Sequence, residues 1–216
     1  GFSAAAIIGK KEFMGLTLKV NEQVLIPRPD TETWLEKVIQ YYRNETGLKV
    51  ADLGTGSGAI LVGFLYYCRD AVGVGVDIST EALKIAEENG QNLKITDRVE
   101  WRQGDYLKAF DEEDIFDGIF SNPPYIPTKD IGGLSREVKH EPRLALDGGT
   151  DGLYFYHLLA KGAAEHLKPG GFLAVEFGIG QATDILEMFR KSAQYEDFEV
   201  IKDYGGIERA LYCRKK

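Results

Sequence analysis

The chain has 216 residues, 44% of them hydrophobic and 28% charged, with 34 acidic side chains against 26 basic ones. That size and mix suit one domain around one substantial core, and a formal charge of −8 leaves no global basic footprint for gripping a nucleic acid. Cys68 and Cys213 lie in no CxxC or Cys/His metal spacing and no run of about 18 apolar residues occurs, so the expectation is free thiols in a cytoplasmic protein without metal or membrane span.

In chain order, GFSAAAIIGKKEF (1–13) lacks a basic segment before its apolar stretch and makes a poor signal peptide. LTLKVNEQVLIP (16–27) alternates, which predicts a small hairpin turning near Asn21 and Glu22. Pro27 and Pro29 then bracket Arg28, and Asp30 or Thr31 is expected to cap a helix that gathers Trp34, Leu35, Val38, Ile39 and Tyr42 on one face. Residues 1–29 read as a lead-in segment and 30–216 as the main domain.

From Lys49 onward β-branched runs alternate with helical patterns. Strands are expected over 49–54, 71–77, 99–105, 116–122 and 171–178, and helices over 59–67, 79–93, 152–167 and 181–192. This alternation argues an α/β fold with a mostly parallel, Rossmann-like sheet covered on both faces. Ser79 is placed as a helix N-cap, and Pro169-Gly170-Gly171 as the turn between a helix and the last parallel strand. EDFEVIKDYGGIERALYCRK (196–215) holds two alternating segments around Tyr204-Gly205-Gly206, an antiparallel hairpin at the sheet edge.

DLGTGSGAI (52–60) sets Gly54, Gly56 and Gly58 between the first parallel strand and its helix, where open parallel sheets bind ligands. The loop also satisfies the dinucleotide fingerprint, so alone it does not choose a cofactor. Asp77, ending the next strand, is the acid expected to accept hydrogen bonds from ribose hydroxyls. Asp52 and Asp105 are expected to converge with Asp77 on one edge, where their charge favours a sulfonium-bearing ligand over a pyrophosphate. S-adenosylmethionine is therefore the expected cofactor.

SNPPYI (121–126) follows the apolar run Asp117–Phe120. Proline holds the residue before it extended, so Asn122 and Pro123 are both stiff. The Asn122 side-chain oxygen and the Pro123 carbonyl can accept the two hydrogens of a planar –NH₂, while Tyr125 packs against the flat group. Such clamping aims a weakly nucleophilic nitrogen at a methyl donor, a contribution that reaches about 7–11 kcal/mol in favourable systems. Asn122, Pro123 and Tyr125 are the candidate catalytic residues.

IPRPDTE (26–32), DLGTGSGAI (52–60), VDIS (76–79), SNPPYI (121–126), EPRLALDGGTDGL (141–153) and LKPGGFLAVEFGIGQ (167–181) together resemble the HemK/PrmC family. The resemblance runs from about Ala6 to the C-terminus. It implies a class I methyltransferase that methylates the side-chain amide nitrogen of the GGQ glutamine in class I peptide chain release factors. It also implies that Gly54, Thr55, Gly56, Ser57, Gly58, Asp77 and Asn122 contact S-adenosylmethionine, with Tyr106 near the adenine; Asp52, Ile78 and Asp105 complete the expected cofactor-binding set. Asn122, Pro123, Pro124 and Tyr125 would hold the glutamine, and Arg28 and Thr31 would lie over the cofactor pocket. The family's N-terminal helical docking domain has no counterpart before Phe13, so a high KM for the whole release factor is expected. Two other readings stay open: an adenine-amine DNA or RNA methyltransferase using the same NPPY logic, and a non-catalytic module that binds S-adenosylmethionine. No stable nucleic acid partner is expected. His140, His157 and His166 are given no chemistry.

Overall fold

The computed structural model describes residues 2–216. After a short helix α1 (Ala4–Ile8), strands β1 (Lys10–Phe13) and β2 (Leu16–Lys19) pair antiparallel, with Phe13 opposite Leu16. The hairpin thus lies one segment earlier than the sequence predicts. Met14 and Gly15 both take positive φ, 50° and 73°, the backbone twist that two-residue hairpin turns require. The expected turn at Asn21 exists, but its side chain accepts from Gln23 N (2.9 Å) and directs residues 20–28 into an extended strap instead of a second hairpin strand. Helix α2 (Pro29–Tyr42) starts one residue before the predicted cap. Pro29 lacks an N–H and needs none at a first helical position, so Arg28 serves as N-cap without a side-chain bond.

The α/β sequence then follows: β3 (Lys49–Leu53), α3 (Ala59–Tyr67), β4 (Val72–Asp77), α4 (Thr80–Asn92), β5 (Val99–Gln103), β6 (Phe116–Ser121), α5 (Tyr154–Gly162), β7 (Leu167–Glu176), α6 (Ala182–Lys191), β8 (Tyr195–Lys202) and β9 (Glu208–Lys215). One seven-stranded sheet has the order β5-β4-β3-β6-β7-β9-β8, parallel through β7 and antiparallel at β9 and β8. Ser79 caps α4 as expected, its Oγ accepting from Ala82 N at 3.2 Å. Pro169-Gly170-Gly171 does not separate helix from strand. It forms an irregularity inside β7, where Phe116 pairs with Leu167 but Gly118 already pairs with Phe172.

Neighbouring residues on each central strand feed opposite layers. Phe120 and Phe172 join Trp34, Leu35, Phe64 and the hairpin's Phe13 and Leu18 on one face. Ile119 and Leu173 join Tyr156, Leu159, Ile185 and Phe189 on the other. Burial on both faces explains why these strands read as continuous apolar runs. The strap adds a small cluster of its own, with Val20, Val24 and Ile26 against Ala82 and Ile85 of α4. Because β3 pairs with both β4 and β6 while the chain winds outward in two directions, a crevice opens at the carboxyl ends of β3, β4 and β6.

Candidate active site

The glycine loop closes on itself before it meets any ligand. Gly54 N and Thr55 N both donate to Val76 O at 2.9 Å, and Gly56 N donates to Asp77 Oδ2 at 2.8 Å. Asp77 Oδ1 accepts from Ser79 N at 2.9 Å, so one carboxylate ties the glycine loop to the start of α4. Burial raises the Asp77 pKa, and the Ser79, Gly56 and Ile78 amides oppose that shift. Gly58 has φ 78°, and a Cβ there would stand 3.0 Å from the Trp101 ring and 3.1 Å from the Ala86 Cβ. Both backbone conformation and space therefore require glycine at that position.

Asp52 does not converge with Asp77 on the open edge. It is wholly buried beneath the loop, with Oδ2 accepting from Thr55 Oγ1 at 2.6 Å and Oδ1 unpartnered. Burial pushes its pKa up to about 7, and the charge of Asp77 adds to the shift. Asp105 falls two residues beyond β5, on the rim, where it pairs with Lys108 at 2.5 Å. The reason is geometric: β3 enters the core before its loop begins, and β5 ends early in a turn. Thr55, Ser57 and Gly58 are likewise loop framework, absent from the cavity wall. Ser57 O accepts from the buried Asn89 side chain at 2.9 Å.

Above the loop lies a cavity of about 270 Å³. Gly54, Gly56, Asp77, Ile78, Asp105, Tyr106 and Asn122, all expected around the cofactor, line it, and Pro124, expected on the glutamine side, lines it too and not the smaller cavity beside it. Tyr106 is held at φ 52° and stacks on Phe155 with ring centroids 4.6 Å apart. The Gln23-Val24-Leu25 strap forms another wall, which sequence reasoning assigned to the lead-in segment, and Phe155 is a further addition. The described residues of the wall include two acids and no lysine or arginine. The donor set fits a cationic nucleoside and lacks the positive charge that a pyrophosphate needs.

A second cavity of about 240 Å³ adjoins the first and is lined by Arg28, Tyr125, Ile126, Leu134 and Leu146, among others. Leu25, Asn122 and Ala145 belong to both walls. At that junction Asn122 Oδ1 is buried and has no hydrogen-bond partner. An acceptor left this way carries a desolvation cost of about 1–3 kcal/mol unless a donor arrives. Pro123 is buried and lines neither cavity.

Tyr125 is held from behind. Gln181 donates through Nε2 to Tyr125 O (3.2 Å) and Gly152 O (3.3 Å), while its Oε1 accepts from Gly178 N at 2.8 Å. Sequence reasoning gave Gln181 no role; the signal was a polar side chain directly after the flexible Gly178-Ile179-Gly180. Burial pushes the Tyr125 phenol up to about 12, with the Glu176 charge adding to it. Glu176, buried at the end of β7, accepts from Thr31 Oγ1 (2.6 Å) and Trp34 Nε1 (2.8 Å). Thr31 is thus a buried brace between α2 and β7 and lies over neither cavity, because the earlier start of α2 turns it inward. Arg28 lines the second cavity, not the one above the glycine loop.

A methyltransferase-domain family model matches residues 44–176. The chain is 44% identical to the release factor glutamine methyltransferase of Bradyrhizobium diazoefficiens, over all of this chain and 73% of that protein. It is 41% identical to the protein of the same name from Moorella thermoacetica, over all of this chain and 76% of that one. Among solved structures it resembles a methyltransferase from Pyrococcus furiosus, with a TM-score of 0.67 and 21% identity over 98% of this chain and 93% of that one, a likeness of fold.

Proposed function

This chain belongs to the release factor glutamine methyltransferase family, and on that premise we propose that it transfers the methyl group of S-adenosylmethionine to the side-chain amide nitrogen of a release-factor glutamine. The observation that carries the reading is the unpartnered, buried Asn122 Oδ1 at the junction of two cavities. A cofactor and a target amide placed one in each cavity meet there and nowhere else.

The larger cavity suits the cofactor. Asp77 holds the ribose hydroxyls, the backbone of Gly54 and Gly56 allows close approach, and Ile78, Tyr106 and Phe155 enclose the base. When bound, S-adenosylmethionine supplies an electrophilic methyl group on a sulfonium. In the smaller cavity Asn122 Oδ1 accepts one amide hydrogen and Tyr125 packs on the amide plane, and the carbonyl of the adjoining Pro123, which stands behind the wall, is the second acceptor in this reading. Pro124 lines the larger cavity beside Asn122. Fixing both hydrogens orients the nitrogen lone pair, the entropic part of the barrier that positioning removes. An N-protonated amide is a strong acid and releases its proton to water, so no side chain is needed as base.

Residues 30–216 form the transferase domain in this reading, and the lead-in segment 1–29 contributes the strap over it. The partner is a class I release factor presenting its GGQ glutamine, with no stable nucleic acid and no membrane association, and a cytoplasmic location follows from that substrate. No helix among the described residues is long and apolar enough to cross a membrane. The test is mass spectrometry of a purified class I release factor after incubation with the protein and isotope-labelled cofactor, with duplex DNA in a parallel reaction. One labelled methyl on the GGQ glutamine and none on DNA is expected. Label on DNA adenine alone would turn the reading to the amine methyltransferases, and binding without transfer would turn it to the non-catalytic module.

A further inference from the structure

Two segments roof the junction of the cavities, and they arrive from distant parts of the chain. The strap, residues 20–28, brings Leu25 to both walls, and the loop after β6 brings Ala145. Between them stands Glu141, whose side chain is only 6% exposed and belongs to neither wall. Its Oε2 accepts from Ile26 N at 3.2 Å and its Oε1 from Arg28 Nη2 at 2.5 Å. One carboxylate thus clamps the residue after Leu25 and the cation of the second cavity to the loop that carries Ala145.

Each segment is anchored on a different site. The strap packs through Val24 and Ile26 on Ala82 and Ile85 of α4, whose first turn follows Asp77 directly. The loop is tied to the target side, because Ile126 N donates to Leu146 O at 3.0 Å and Gly148 N donates to Ile126 O at 2.9 Å. A continuous path therefore runs from Asp77 through α4, the strap, Glu141 and the loop to the residue after Tyr125. A shift of the strap toward a ligand in the first cavity carries Leu25 with it, and the clamp passes that shift to the loop that brings Ala145 to the second. Packed contacts of this kind transmit displacement, since dense interiors do not absorb it.

We propose that the Arg28–Glu141 pair is a positioning latch that couples cofactor occupancy to release-factor binding, so that each ligand raises the affinity for the other. The inference rests on the assignment of the two cavities given above. Coupling of this sort is reciprocal and measured as a single factor. Neither residue is asked to touch the reacting atoms. Arg28 keeps the strap low over the junction, and Glu141 carries that position into the loop.

The experiment uses S-adenosylhomocysteine, which cannot react, and a purified class I release factor. Calorimetry gives the S-adenosylhomocysteine Kd alone and with saturating release factor, for the wild type, Glu141→Gln and Arg28→Gln. The wild type should bind about fivefold or more tightly in the ternary complex, at the lower end of ordinary coupling. In both variants that factor should fall below about twofold while the binary Kd stays near wild type, and the KM for release factor should no longer depend on cofactor concentration. A merely structural role would change melting temperature and binary affinity and leave the coupling factor intact. Should Glu141→Gln fail to fold, Arg28→Gln carries the test, because the Arg28 side chain is 34% exposed and its removal leaves the Ile26 bond in place. Unchanged coupling in a variant, or no coupling in the wild type, overturns the latch while methyl transfer to the release factor continues. Absence of that transfer in the wild type overturns the cavity assignment, and the latch with it.

Discussion

The two halves of the site solve opposite problems. In the glycine-loop half the groups that line the crevice are bonded within the protein: Asp77 accepts from Gly56 and Ser79, and Gly54 and Thr55 donate to Val76. In the NPPY half Asn122 Oδ1 is left without a donor although it is buried. A carboxylate oxygen has a second lone pair to offer after its first bond, so Asp77 can be fixed in place and still bind. An amide nucleophile must instead be gripped by acceptors that nothing else occupies. The first half is preorganised by satisfaction, the second by stiffness, through two prolines and the Gln181 brace.

This contrast breaks most sharply at Asn122. Asn122→Ala should raise the kcat barrier by about 2–4 kcal/mol, the cost of losing one oriented hydrogen-bonding group. Asn122→Asp keeps an acceptor of similar shape and should fall between, giving Ala below Asp below wild type in single-turnover rates on release factor. Equal rates for all three would show Asn122 to be a turn residue.

On the other half the loss should appear in binding. Asp77→Ala should weaken S-adenosylmethionine by about 1.5–3 kcal/mol, the range for charge-assisted hydrogen bonds, and calorimetry reads this directly. Unchanged affinity would remove Asp77 from the cofactor site.

A smaller effect separates stiffness from contact. Gln181→Ala deletes three hydrogen bonds behind Tyr125 without touching either cavity wall. We expect kcat to drop about tenfold, roughly 1.4 kcal/mol, with cofactor Kd unchanged. A drop in cofactor affinity of the same size would mean that the two halves are not separately preorganised.

The last effect concerns the loop framework and pH, and it is read in stability, not in rate or binding. Burial holds the proton on Asp52 in the folded chain up to about pH 7, whereas an unfolded aspartate loses it near its ordinary 3.8. The native state therefore binds more protons across that window, and stability is greatest below the unfolded value and falls as pH rises toward 7. Asp52→Asn should flatten this slope in urea titrations of the ligand-free protein between pH 4.5 and 8. A slope equal to that of the wild type would place the pH dependence elsewhere.

Much of this could be read from residue order alone. The strand–helix alternation, the Ser79 cap, the Gly54–Gly58 loop, Asp77 and the NPPY turn depend on local chemistry: period, capping, positive φ and proline stiffness. These properties belong to a residue and its near neighbours, so the sequence carries them openly. What residues far apart do to one another is a different matter. Asp52 was expected at the open edge and is buried, because the depth at which β3 enters the sheet depends on its packing between β4 and β6. Thr31 was expected over the cofactor and instead braces Glu176, 145 positions away. Gln23, Val24 and Leu25 line the cavity above the glycine loop only because Val20, Val24 and Ile26 find α4 to pack on. Arg28 meets Glu141 across 113 positions. Local rules set the elements and the chemistry at their ends, and the closure of the core decided which of those ends share a cavity.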